Sequence, residues 1–473
     1  MIAAPQLPRW RVFPPLALGT LMATLDLSIV NIALPTLART FAVPLTTVEW
    51  VVLAYSITVT GLLLTLGRLA DRLGRRRMYG LGLLVFTAAS ALCAAAPTAS
   101  LLIAARALQG LGAAMMTANS AALLVGAFPA EQRGRAIGAF GAMVGVGLAL
   151  GPPLGGLLVG HLSWRSIFLL NLPLGVLALA QLRRRVPDDP PRPEVPAPAP
   201  LDAALACAAL VLLTLGLSRG PASGWRPVAP LFLASLAALT AFVVRERRSP
   251  APHLPHDLLR GSLGVGAALT FLGQALSVAI GFAMPLYLEG VLGFDAAQSG
   301  RWLSVLPLLA LVMAPAAGRW ADRAGPRPLS MIGLAIAAAG YVVLSGLGTG
   351  PPPGTLLAGL ALVGAGLGLF TVPNSSAVLG AVPPERLGSA SGLQATMRNL
   401  GVTAGAAASA AIVTTRQAAH GAVAPGSLGG AGFDRAAFAR AHHDLNLSLA
   451  AVAVLAALFA SRHGSRPIPP PAC

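Results

Sequence analysis

Gly67-Arg68-Leu69-Ala70-Asp71-Arg72-Leu73-Gly74-Arg75-Arg76-Arg77 lies between two long apolar runs, and a second copy stands at Gly318-Arg319-Trp320-Ala321-Asp322-Arg323-Ala324-Gly325-Pro326-Arg327. A charged loop repeated at matching offsets predicts two homologous halves. Around the loops the 473-residue chain is 55% hydrophobic and 10% charged, against about 25% charged in a soluble domain. The charges cluster, leaving apolar runs of roughly 17–25 residues, the length that crosses a bilayer. The composition predicts an all-α integral membrane protein. Its 53 glycines and 40 prolines fit that class, because small residues let spanning helices approach closely.

Apolar runs and charged or Pro-rich breaks predict fourteen spans, near 12–36, 48–66, 78–96, 98–127, 136–160, 164–182, 201–218, 227–244, 262–290, 300–317, 328–347, 354–380, 388–414 and 444–460. The first loop copy follows span 2. In a simple duplication of six spans the second copy would follow span 8, but it follows span 10. Spans 7 and 8 therefore read as a pair inserted between the halves. The expected organisation is an N-terminal bundle over 1–185, a Pro-rich linker over 186–200, and the inserted helices with a basic loop over 201–260. A C-terminal bundle over 261–461 and a tail over 462–473 complete it.

All 33 basic residues are arginine, and the formal net charge is +17. With the N-terminus inside, 23 arginines fall in inner segments, 8 in outer ones, and Arg106 and Arg398 within spans. This bias predicts that both termini are cytoplasmic, and it makes the charge a topology signal rather than a nucleic-acid surface. Cys93, Cys207 and Cys473 form neither a disulfide framework nor a zinc pattern. The first apolar run has no small-residue cleavage site and reads as an uncleaved helix. No metal, P-loop or dinucleotide motif occurs, so no cofactor is expected and ATP is not the energy source. Gly216-Leu217-Ser218-Arg219-Gly220 has the spacing of a hydrolase elbow without its strand–turn–helix setting, and is read as chance.

Of the 16 acidic residues, only Asp26 is expected deep within a helix; the 7 histidines are expected in loops, at span ends or in the tail. Asp26 lies about 20 Å into span 1 and Arg106 about 12 Å from the outer face in span 4, at nearly the same depth. A lone buried carboxylate is expensive and by default functional. A neighbouring guanidinium favours its anion while burial favours its neutral form, so the pair is a candidate proton-loading site; the alternative is a purely structural ion pair. Gly67 permits close helix approach, Asp71 can cap a helix or pair with an arginine, and Gly74 turns the chain. Gly147, Gly151 and Gly155 fall four apart on one helix face as a groove for a neighbour, next to Pro152, Pro153 and Gly156. Pathway candidates are the polar residues within spans: Asn31, Gln109, Asn119, Gln274, Asn374, Gln394, Arg398 and Asn399. An interhelical hydrogen bond is the alternative for each. Arg398 additionally needs a partner, a cavity or an anionic substrate.

On these motifs the chain resembles the major facilitator superfamily, in particular its fourteen-span drug:proton antiporter branch. Gly67 to Arg77 is similar to the family's cytoplasmic loop signature, and Arg106-Ala107-Leu108-Gln109-Gly110-Leu111-Gly112 to its fourth-span element. Gly147 to Gly156 resembles the antiporter motif, Leu25-Asp26 through Pro35 the first-helix motif, and Trp164-Arg165 through Asn171-Leu172-Pro173 the sixth-helix signature. The resemblance implies a major facilitator fold of two six-helix bundles plus two inserted helices. It implies helices 1 and 4 lining a central cavity, and a cytoplasmic gate at Gly67, Asp71, Arg72, Gly74, Arg75, Arg76, Gly318, Asp322 and Arg323. It also implies that the antiporter motif limits proton leak. Pro326 and Pro328 replace arginines of the first loop, which suggests a weaker second gate, and span 13 lacks the acidic residue of relatives that carry dications.

The expected function is proton-driven efflux of hydrophobic or amphipathic small molecules across a bacterial cytoplasmic membrane, by a protein that is not an enzyme. Its partners would be substrate, protons and membrane lipid, with no nucleic acid and no obligate protein partner. The alternatives are a dedicated exporter of one metabolite, antibiotic or lipid, and a non-transporting sensor or scaffold.

Overall fold

A computed structural model describes residues 9–128, 130–187, 200–248, 261–380, 382, 387–421 and 434–461. The described residues form helices α1 (Phe13–Phe41), α2 (Leu45–Leu73), α3 (Arg75–Ala95), α4 (Ala99–Ala127), α5 (Ala130–His161), α6 (Ser166–Leu169), α7 (Asn171–Arg185) and α8 (Pro200–Ser223). They continue as α9 (Trp225–Arg248), α10 (Gly261–Gly290), α11 (Ala296–Leu303), α12 (Val305–Ala324), α13 (Pro326–Ser345), α14 (Pro353–Gly380), α15 (Leu387–Ala419) and α16 (Arg435–Ala460). Two spans are split: α6 with α7, and α11 with α12, each form one membrane-length unit.

Thirteen of these units are long and apolar enough to cross a membrane. The predicted span 388–414 falls on α15, which has the length at 33 residues but carries Gln394, Arg398, Asn399, Arg416 and Gln417 among many Ser and Thr residues. Its polarity keeps it out of the thirteen. Leucines on the outer faces, such as Leu233, Leu236 and Leu239 of α9, are exposed, as lipid-facing positions are.

The repeated charged stretch is more helical than expected. Rather than a loop from Gly67 to Arg77, α2 continues to Leu73, Gly74 alone breaks the chain, and α3 starts at Arg75. Gly74 sits at φ 99° and Gly325, its counterpart between α12 and α13, at φ 81°. Their N–H groups bond the carbonyls of Ala70 and Ala321, both at 2.9 Å. Only glycine takes this left-handed turn without a Cβ penalty, which explains the fixed offset in both copies. The last helix also differs from expectation. It begins at Arg435 rather than near 444, because the Asp434 side chain caps the Ala437 N–H at 2.9 Å. His442 therefore lies inside a helix, fully buried and stacked on Tyr287 at 4.5 Å, not in a loop.

Packing repeats as the sequence does. α1 packs on α5, α2 on α4, and α3 on α4 and α7; likewise α10 packs on α15, α12 on α14, and α13 on α14 and α16. A Cβ at Gly82 would meet the Gly112 carbonyl at 2.9 Å, and one at Gly333 would meet the Gly366 carbonyl at 2.7 Å. The same backbone approach thus joins α3 to α4 and α13 to α14. The two sets touch each other through α1–α10, α2–α15 and α5–α11, and α8 lies against both α2 and α15 while carrying α9.

Candidate functional site

Asp26 and Arg106 are paired. Arg106 Nη1 donates to Asp26 Oδ2 at 2.5 Å, and both side chains are fully buried. Asp26 Oδ1 accepts from Gln109 Nε2 at 2.9 Å and from Asn171 Nδ2 at 3.1 Å. The same two amides reach Ser90 Oγ at 2.8 and 3.3 Å. One carboxylate is therefore held by donors from α4 and α7, with Ser90 of α3 as the shared anchor. Three donors and no acceptor on the two oxygens match an ionised carboxylate.

The local sequence explains this convergence. Arg106 and Gln109 are three apart on α4 and share a face, and Arg106 Nη1 also donates to Gln109 Oε1 at 2.6 Å. Arg106 Nε donates to the Val51 carbonyl of α2 at 2.8 Å. The guanidinium lies over the Tyr55 ring at 4.4 Å and 5.8 Å from Phe168, where an aromatic face attracts a cation. Among the described residues Arg106 Nη2 has no hydrogen-bond partner. Asn171 is the first residue of α7. Pro173 has no N–H to give the Leu169 carbonyl, so the helix is interrupted there and the amide turns to the Asp26 network. Sequence reasoning placed Gln109 on the pathway and did not single out Asn171 or Ser90 as site residues. The Asn171-Leu172-Pro173 motif was the available signal for one; Ser90 carried none.

The antiporter-motif glycines lie against the same helix. A Cβ at Gly147 would strike Thr24, one at Gly151 would strike Ser28, and one at Gly155 would strike Ile29. Ser28 Oγ donates to the Gly147 carbonyl at 3.4 Å. The groove thus receives α1 on both sides of Asp26. Gly156 points elsewhere: its Cβ would meet the Ala296 carbonyl at 2.8 Å and Gly300 Cα at 2.9 Å on α11. α5 stays helical through Pro152 and Pro153. Near this contact, Arg39 at the end of α1 forms an ion pair with Glu289 at the end of α10.

In the repeated stretch, Arg75 Nε donates to Asp71 Oδ1 at 2.8 Å, one turn apart and half-exposed. Arg76 Nη2 donates to the Arg183 carbonyl of α7 at 3.1 Å. Gly67 leaves ordinary contact distance to Ala118 Cβ, 3.8 Å, and Gly318 to Val372, 3.8 Å. Arg72 is half-buried and Arg323 exposed; the side chain of Asp322 lies outside the described residues.

The remaining pathway candidates scatter. Asn119 and Asn399 donate to carbonyls one turn back on their own helices, at 2.7 and 2.8 Å. Asn374 ties α14 to α10 through the Gly266 carbonyl and Thr270, and Gln394 ties α15 to Ser375. Asn31 approaches Gly281 of α10, and among the described residues its Oδ1 has no partner. Gln274 packs at Gly401, and Arg398 is half-buried.

A model of the Major Facilitator Superfamily matches residues 16–406. The chain is 36% identical over 399 residues to the multidrug resistance protein Stp of Mycobacterium tuberculosis, which covers 82% of this chain and 73% of that protein. It is 33% identical over 426 residues to the methylenomycin A resistance protein of Streptomyces coelicolor, covering 86% of each. To the riboflavin transporter RibZ of Clostridioides difficile it is 32% identical over 404 residues, covering 84% of this chain and 87% of that one. Among solved structures, a bacterial homologue of the human lysosomal transporter Spinster, inward-facing and unoccupied, superposes with a TM-score of 0.67 at 15% identity over 98% of each chain.

Proposed function

Because the chain belongs to the major facilitator superfamily of membrane transporters, we propose that it exports hydrophobic or amphipathic small molecules in exchange for protons. Relatives named for multidrug and antibiotic resistance support the substrate class. The proton role rests on one observation: a buried carboxylate of α1 bound by Arg106 and Gln109 of α4 and by Asn171 of α7. Adding a proton to Asp26 removes an acceptor and discharges the partner of Arg106, so it loosens the hold of α1 on α4 and α7. Proton binding and helix packing then share one equilibrium, as antiport requires.

In this reading the arginine-rich end is cytoplasmic and the membrane is the bacterial inner one. The Arg39–Glu289 pair and the α5–α11 contact close the outer end. The repeated stretch gates the opposite end. Asp26 takes a proton from outside as substrate leaves, and the neutral carboxyl eases return to the inward-open state. Proton release inside restores the ion pair with Arg106. The bundles would span 1–185 and 261–461, with α8 and α9 as the insertion. A dedicated exporter is a second reading, favoured by relatives named for one compound, such as methylenomycin A or riboflavin.

The test is a compound panel in an efflux-deficient host, with and without a protonophore, comparing wild type with Asp26→Asn. Resistance that vanishes with either treatment supports the proposal. Resistance that survives both overturns proton coupling at Asp26, and resistance to a single compound selects the dedicated exporter.

A further inference from the structure

A cleft of about 440 Å³ opens between α3 and α7 at their arginine-rich ends, away from the Asp26 network. Its rim is Arg76, Arg77 and Arg183, and its walls are Gly80, Leu81, Leu84, Leu179 and Leu182. Arg77 and Arg183 are exposed, as are Leu81 and Leu84, at 50% and 53%. Among the described residues, none that lines it is acidic.

We propose that this cleft is a binding site for an anionic phospholipid of the cytoplasmic leaflet, with the phosphate at Arg77 and Arg183 and an acyl chain along Leu81 and Leu84. Cationic rim and apolar wall adjoin, as the phosphate and acyl chain of a phospholipid do. Basic pockets between helices on the cytoplasmic side suit anionic headgroups, and arginine matches phosphate geometry better than a point charge does. Arg76 donates to the Arg183 carbonyl at 3.1 Å, which fixes the two helix ends relative to each other. The cleft is not a demand of the fold. At the matching places of the second repeat stand Pro328 and Met331 instead of Arg77 and Gly80, which removes a cation and puts a long side chain where the first copy has none. Gly80 keeps the floor open, since its Cβ would already meet Leu182 Cδ2 at 3.2 Å.

The experiment is native mass spectrometry of the full chain, delipidated and titrated with dioleoyl phosphatidylglycerol or dioleoyl phosphatidylcholine. The expected result is retention of the anionic lipid over the zwitterionic one. Arg77→Gln with Arg183→Gln should weaken it by about thirtyfold, while Arg247→Gln with Arg248→Gln, at the end of α9, should not. Gly80→Met leaves the arginines in place and should also displace the lipid, which covers the case in which the double variant fails to fold. Free glycerol 1-phosphate at the same concentration should not compete. Equal binding of both lipids, unchanged binding in a folded cleft variant, or competition by glycerol 1-phosphate would each overturn the proposal.

Discussion

Asp26 is held by three donors, and each has a separable consequence. Arg106→Ala leaves a buried carboxylate without its counter-charge and should destabilise the protein by about 3–5 kcal/mol, measured by thermal unfolding in detergent. Asp26→Asn in the same chain should recover part of that loss, as a double-mutant cycle would read. Asn171→Ala removes one donor to a charged group and should cost about 1.5–3 kcal/mol while slowing proton-driven efflux. An Asn171→Ala protein as stable as wild type would show that the amide carries no weight. The pair itself was legible in the sequence, because two opposite charges at one depth in a membrane each demand a partner. Ser90 and Asn171 were not. Neutral polar side chains are tolerated in spans for many reasons, so their identity does not say which face they occupy. Apart from Gln109, Asn374 and Gln394, most of the polar residues grouped as pathway candidates turned out to satisfy themselves locally or to stand without a described partner.

At the level of elements, α5 serves two neighbours with adjacent glycines: Gly155 receives Ile29 of α1 and Gly156 receives α11. A side chain at Gly156 must separate α5 from α11 without touching the Asp26 network. In a background lacking native cysteines, Gly156→Leu should therefore make a cysteine at position 31 reactive to an impermeant maleimide from outside, where the parent is protected. Glu289→Gln, which discharges the Arg39 pair, should move reactivity in the same direction. Protection unchanged in both would mean that these contacts do not seal that end. A groove for a neighbouring helix was readable from the four-residue spacing of Gly147, Gly151 and Gly155, though not that α1 fills it. The second partner was not, since nothing in the sequence says which helix faces Gly156. Helix ends were misjudged where charge and helix coincide. Gly74 is a one-residue turn inside a run of arginines, and α16 starts on the Asp434 cap within a polar stretch that hydropathy reads as loop.

Across the whole molecule the backbone is repeated but the chemistry is not. The same number of residues before Gly366 as Arg106 and Gln109 stand before Gly112 are Leu360 and Val363, both fully buried. The second half keeps the glycine approach, but α14 has apolar side chains at the places of Arg106 and Gln109. The repeated charged stretch points to two related halves, and its second copy at the end of span 10 points to a pair inserted between them. The matching Gly82–Gly112 and Gly333–Gly366 contacts stayed hidden, because glycine is too common in this chain for one pair to stand out. The proposed proton exchange therefore depends on a single carboxylate, Asp26. The most direct measurement is substrate-induced proton movement in proteoliposomes carrying wild type or Asp26→Asn. Wild type should release a proton gradient when substrate is added, and Asp26→Asn should still bind substrate yet leave the gradient intact. Proton movement of wild-type size in Asp26→Asn would contradict the account.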